Sequence, residues 1–216
     1  MEPQVRAAQI AAQVRALPQR STQPMRGVRQ AASRELRRAS ADEVRAVARA
    51  AIFDQGLGWI GYELIAAHPG AFANLTAADL EAMAEGLAAW ESVDAFGMIL
   101  AGPAWRAGLV DDGLIARWSV SPDRWRRRLS LVATVPLGRA GDAARVLAVC
   151  ERHVADRDDM VEKALSWALR ELSKRQPDAV RGFLARHDAA LGARVKREVR
   201  HKLATGLKAP RRMTTA

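Results

Sequence analysis

The chain holds a single cysteine, Cys150, among 216 residues. One thiol excludes an internal disulfide framework and any zinc site built from several cysteines. Aromatic residues make up only 5%, and one Tyr and four Phe stand against six Trp. Lysine is scarce beside arginine, 5 against 29. That bias suits bidentate, planar contact with phosphate, although a GC-rich genome produces it without any function. No apolar run approaches the roughly 18 residues of a membrane span. No stretch alternates with a period of two between hairpin turns, which removes the usual sign of a sheet. At 49% hydrophobic and 27% charged, the chain lies outside the disordered class. It is long enough for one sizeable core or two small ones.

The net charge of +10 is unevenly spread. Residues 1–40 carry +6, residues 41–116 carry −8, residues 117–193 carry +5 and residues 194–216 carry +7. A basic surface assembled from the ends and the second half could hold a polyanion. Solvated helix faces explain the same pattern equally well. The Arg-rich, acid-poor start reads as a basic amphipathic helix rather than a targeting leader.

Apolar residues recur at spacings of three and four almost throughout. This predicts helices over Gln4–Leu17, Ala41–Phe53, Gly58–Ala67, Ala77–Trp90, Trp105–Trp118, Ser121–Val135, Gly141–His153, Asp158–Lys174, Asp178–His187 and Ala189–Thr205. Ser40 with Glu43, and Thr76 with Asp79, have capping-box spacing. Ser121 before Pro122 reads as a cap followed by a first-turn proline. Many short helices with brief turns fit a stacked solenoid or a globular bundle. We expect one helical domain over 1–205 and a flexible basic tail over 206–216.

Three segments stand apart from generic helix: Trp90-Glu91-Ser92-Val93-Asp94, the run from Trp118 through Pro122 and Trp125 to Arg128, and Val161 to Lys174 with Trp167 inside a charged helix. In this order and spacing, from about residue 76 to residue 203, they resemble the AlkD-like DNA alkylation repair family. That resemblance implies an all-α solenoid of HEAT-like antiparallel helix pairs with a concave DNA-binding groove. It further implies a DNA glycosylase that removes alkylated purines. Asp94 matches the family's catalytic Asp, Trp90 its neighbouring aromatic, Arg128 its active-site Arg and Trp167 its second active-site Trp. Arg170 falls at a position that faces DNA in the family. Leu129-Ser130 departs from the small, Ala-like pair usual there, and the N-terminal region has no clear counterpart.

The chemistry fits these residue types. An N3- or N7-alkylated purine is cationic and a good leaving group, and cleaving its glycosidic bond builds positive charge on the deoxyribose. A fixed carboxylate such as Asp94 stabilises that charge and positions water. Trp90, four residues before Asp94, shares its helix face, and two Trp faces favour a cationic base. The resemblance implies that the lesion stays in the stack rather than being extruded. We expect no cofactor and no metal, since the four His lack ligand spacing. The DNA-facing bases would be Arg124, Arg127, Arg170 and Lys174, with Lys196, Arg197 and Arg200 of the C-terminal helix at the rim. The expected partner is duplex DNA with alkylated bases, bound by a monomer in the cytoplasm or at a bacterial nucleoid.

Each residue also has a packing reading. Trp90 before Asp94 occurs by chance on many helices. Trp118 and Trp125 read as packing residues, Trp59 and Trp105 as core, and Cys150 as a small buried residue. Arg124 and Arg128 share one helix side while Arg126 and Arg127 point elsewhere, so the four cannot all touch DNA. The alternative function is a non-catalytic helical scaffold for DNA or for an acidic protein. An enzyme would have Asp94 lining one groove with Arg128 and Trp167; a scaffold would bury it in a salt bridge or turn it away.

Overall fold

The structure is a computed structural model that describes residues 1–19 and 21–207. Its helices in chain order are α1 (Pro3–Arg15), α2 (Thr22–Glu35) with a 3₁₀ turn (Leu36–Arg38), α3 (Ala41–Phe53), α4 (Gly58–Ala67), α5 (Pro69–Ala73), α6 (Ala77–Ala84), α7 (Trp90–Phe96), a π turn (Gly97–Ala101), α8 (Gly102–Arg106), α9 (Asp112–Ser119), α10 (Arg124–Ala133), α11 (Val135–Ala140), α12 (Ala143–Glu151), α13 (Asp159–Leu172), α14 (Pro177–Arg186) and α15 (Ala193–Thr205). No strand occurs among the described residues. The fold is all-α, of the α-solenoid type, in which helices pack on their neighbours along the chain. The basic tail from residue 208 lies outside the described residues.

The chain forms two compact units, Met1–Gly86 with Ile99–Val110, and Leu87–Met98 with the residues from Asp111 onward. In the first, α3 packs on α1, α4 and α5, and α2 packs on α1 and α4. Its core is Ile10, Val14, Val44, Val47, Ala48, Ala51, Ile60, Leu64 and Ile65. In the second, α13 is the central element and packs on α10, α11, α12, α14 and α15, while α10 also meets α7 and α9. Leu129, Leu131 and Val132 of α10, and Val161, Leu165, Leu169 and Leu172 of α13, are buried there.

Helix starts follow capping chemistry. Ser40 accepts the Glu43 N–H at 3.2 Å. Thr76 and Asp79 close a reciprocal box at 3.2 and 3.0 Å. Three expected helices are interrupted. Ala77–Trp90 breaks after Ala84, where Gly86 takes φ +71°, and Trp105–Trp118 breaks at Gly108, φ +75°. Both need the left-handed backbone that glycine adopts without steric clash. The Ser121–Val135 helix begins only at Arg124, because Asp123 rather than Ser121 accepts the Trp125 N–H. Helix α2 was not expected from the sequence: it is strongly polar, its apolar face is only one residue wide, and it buries only Ala32.

One departure from the family pattern has a local cause. The Ser130 hydroxyl donates to the Arg127 carbonyl at 2.7 Å and lies 3.0 Å from Nε2 of His153. The other ring nitrogen, Nδ1, lies 3.8 Å from Asp156. Burial is the main cause that lowers the His153 pKa to about 4, with nearby Arg127 adding to it and Asp156 opposing.

Two outcomes follow from this packing. A Cβ on Gly97 would sit 2.7 Å from Cγ1 of buried Val132, so Gly97→Ala should push α7 off α10. We expect about 1–3 kcal/mol of lost stability, read as an earlier midpoint in denaturant unfolding. For His153, the unfolded ring takes a proton near pH 6.5 and the folded ring only near about 4. Between those values the unfolded chain binds more protons, so stability falls as pH is lowered through the window. This ring should contribute up to about 3 kcal/mol of that loss. Melting scans from pH 7 to 4 should show a shallower decline for His153→Gln; identical slopes would remove His153 from the effect.

Candidate functional site

Asp94 sits on α7 between Val93 and Phe96, which are both fully buried and fix the helix against its neighbours. The π turn begins just beyond, at Gly97, and such insertions often mark functional positions. Gly97 lets α7 close on Leu129 and Val132 of α10. That approach brings Asp94 to Arg128.

Arg128 is 5% exposed, and each of its three guanidinium nitrogens donates a hydrogen bond. Nε donates to Oδ1 of Asp94 at 2.9 Å and Nη2 to Oδ2 at 2.8 Å. Nη1 donates to the Met160 carbonyl at the start of α13 at 2.6 Å. The fork-to-fork geometry fixes the carboxylate in orientation as well as place. Burial raises the Asp94 pKa above its usual range, the hydrogen bonds and charge of Arg128 pull it down, and Glu91 adds a small upward push. Arg128 occupies one lone pair on each Asp94 oxygen, which leaves acceptor capacity on both.

Asp94 and Arg128 line a cavity of about 610 Å³ together with Trp90, Trp167, Arg170 and Lys174. Trp90 is the first residue of α7 and is half exposed, so it is not the core residue that a packing role would make it. Trp118 and Trp105 are core, at 2% and 1% exposed. Trp125 lies under the Arg124 guanidinium, 4.8 Å from the ring centroid. Asp94 is thus both ion-paired and part of the cavity wall, so it shows features expected of the enzyme and of the scaffold.

The other expected DNA-facing bases lie outside this cavity. Arg127 donates to Asp156 at 2.8 Å and to the carbonyls of Ser121 and Pro122 at 3.0 and 2.9 Å, so its donors hold the α10 entry loop. Arg124 stacks on Trp125 and lies 3.7 Å from Asp158. Lys196 bonds the Asp188 carbonyl, and Arg200 bonds the Asp188 carboxylate at 2.6 Å. Arg197 is exposed. Helix α15 instead contributes Glu198 and Lys202 to the cavity wall. Arg170 lines the cavity but is 9% exposed, with Nε on the Ser166 carbonyl.

Sequence reasoning missed Met160, Lys163, Glu171, Glu198 and Lys202 of the lining. Part of this was detectable. Met160, Lys163, Trp167, Arg170 and Glu171 recur at three and four along α13, and Lys174 follows in the turn just beyond it, so they form one stripe around Trp167. Three of the chain's five lysines line this cavity. Lys163 pairs with Asp159 at 2.6 Å and Lys174 with both Glu171 oxygens at 2.8 Å, while Lys202 donates to the Gly206 carbonyl. No cluster of three or more metal-ligating side chains occurs among the described residues, and no described helix is long and apolar enough to cross a membrane.

Comparison with known proteins gives these residues a family. No curated protein matches the chain. Among solved structures it is similar to a predicted DNA alkylation repair enzyme from Enterococcus faecalis, with a TM-score of 0.67 and 19% identity over 93% of this chain and 96% of that one. That likeness shows a shared helical fold. The sequence model of the family described as DNA alkylation repair enzyme matches residues 4–203. On a match spanning nearly the whole chain, the protein belongs to the DNA alkylation repair enzyme family.

Proposed function

We propose that this protein is a glycosylase that excises cationic N3- and N7-alkylated purines from duplex DNA, with Asp94 stabilising the sugar cation. The observation that carries the reading is the Asp94 carboxylate, gripped through both oxygens by Arg128, in one cavity wall with Trp90 and Trp167. In the reaction the C1′–N bond breaks and its electron pair goes to the base, which neutralises the ring. The deoxyribose becomes oxocarbenium-like, water adds at C1′, and a proton is released. A preorganised anion beside C1′ lowers this barrier without reorganising. The Trp faces favour the cationic base, and the basic lining offers contacts to phosphate.

Arg128 acts as a positioning residue. Its third hydrogen bond, to Met160, ties the carboxylate to the helix that carries Trp167, so anion and aromatic face keep a fixed spacing. Its own charge offsets part of the Asp94 field, which suits a substrate that is already a good leaving group and needs only moderate help.

Asp94→Asn keeps the volume and removes the charge. Single-turnover release of 7-methylguanine from duplex DNA should fall by about 10²–10³, with duplex affinity little changed. Full excision by this variant would move the chemistry elsewhere. Tight, salt-sensitive binding without excision by the parent protein would make it a DNA-binding member without this activity.

The acid limb gives a second check. The ionised carboxylate is the active form, and burial raises its pKa. Activity should therefore be lost on acidification at a higher pH than an ordinary Asp would allow. Enzyme-dependent excision should show a midpoint above the usual 3.8, and the residual rate of Asp94→Asn should lack that limb.

A further inference from the structure

Helix α2 is unlike the other long helices of the chain. Among its residues only Ala32 is fully buried. Counting 100° per residue, Met25, Val28 and Ala32, with Leu36 just beyond, fall on one narrow face. Met25 and Val28 are partly buried, and Ala32 and Leu36 are buried. Two ion pairs flank that face and pin the helix: Arg29 to Glu63 of α4 at 2.6 Å, and Glu35 to Arg6 of α1.

The remaining face is a stripe of one chemistry. Gln23, Arg26, Gln30 and Arg34 lie within an arc of about 80°, and the 3₁₀ turn adds Arg37 and Arg38. All six are exposed. No carboxylate among the described residues pairs with Arg26, Arg34, Arg37 or Arg38. Many arginines elsewhere are neutralised within the protein, as Arg45, Arg127, Arg128, Arg139 and Arg181 are. Four unpaired arginines on one short segment therefore contrast with the way much of the chain uses this residue.

We propose that this stripe is a second DNA-contact surface, distinct from the Asp94 cavity, that grips the phosphate backbone of the duplex without reading sequence. The proposal rests on duplex DNA being the ligand. Arginine forks and glutamine amides both donate to phosphate oxygens. From Arg26 to Arg38 the stripe spans about 18 Å at 1.5 Å per residue, equal to about five base-pair rises of 3.4 Å. The arc carries no apolar side chain. A protein interface would want an apolar centre. An amphipathic membrane helix would want its apolar face free, whereas that of α2 is spent against α1 and α4.

The test replaces Arg26, Arg34, Arg37 and Arg38 by Gln, with the four Lys replacements as the charge-preserving control. Unmodified and 7-methylguanine duplexes are titrated from about 50 to 200 mM salt. Each lost phosphate contact should flatten the log–log salt slope by about 0.9, so the Gln variant should lose about 2–4 units of slope and the Lys variant should keep most of it. At saturating protein the single-turnover excision rate should equal the parent's, because the stripe is separate from Asp94. An unchanged slope in a folded Gln variant overturns the proposal. So does weakened binding to anionic vesicles with duplex binding intact. Should the parent bind duplex but release no base, the glycosylase reading fails while the slope comparison still decides the stripe.

Discussion

The buried fork between Arg128 and Asp94 is the constraint on which the candidate site depends. Removing a guanidinium and a carboxylate from water is costly, and their attraction repays it only when geometry is good and the remaining donors are satisfied. Here they are satisfied: two hydrogen bonds reach Asp94 and the third reaches the Met160 carbonyl. One side chain thus connects α7, α10 and α13. Because a buried unpaired charge is so unfavourable, the pair makes small displacements of these helices expensive. That stiffness is what an electrostatic catalyst requires, since its benefit comes from charge already in place.

Charge is otherwise distributed by pairing rather than by composition. Many of the 29 arginines are spent inside the molecule: Arg127 on the α10 entry loop, Arg139 on Glu171, Arg45 on the Asp79 cap. The net charge of +10 is therefore a poor map of where a polyanion could lie. Two places keep usable positive charge for different reasons. The lysines around Trp167 sit on flexible stems at the cavity edge, where the pairs of Lys163 with Asp159 and Lys174 with Glu171 are exposed to solvent on the lysine side. Arg26, Arg34, Arg37 and Arg38 have no carboxylate partner among the described residues, unlike Arg29 of the same helix.

The helices themselves were legible from periodicity and caps. Ala41–Phe53 and Gly58–Ala67 have the predicted ends, since Ser40 begins one and His68-Pro69 stops the other. The breaks at Gly86 and Gly108 were not legible, because a lone glycine is tolerated inside many helices and only tertiary packing decides whether it turns. Helix α2 escaped notice for a related reason. Its hold on the protein comes from two ion pairs and a thin apolar face on a strongly polar helix.

The sequence by itself determined the all-helical character, through spacing, and the residue types of the candidate chemistry, through three segments whose order matches a known family. Trp90 and Asp94 are four apart on one helix and must share a face whatever the rest of the chain does. Only the tertiary structure decided which bases join them. Arg127 and Arg128 are adjacent in sequence, but a helix separates neighbours by about 100°. One therefore serves Asp156 and the other Asp94. Lys202 and Glu198 enter the cavity while Arg197 and Arg200 stay outside it, because the rotation of α15 against α13 is fixed by Val195 and Val199 in the core. That rotation is a property of packing between distant segments, which no local pattern encodes.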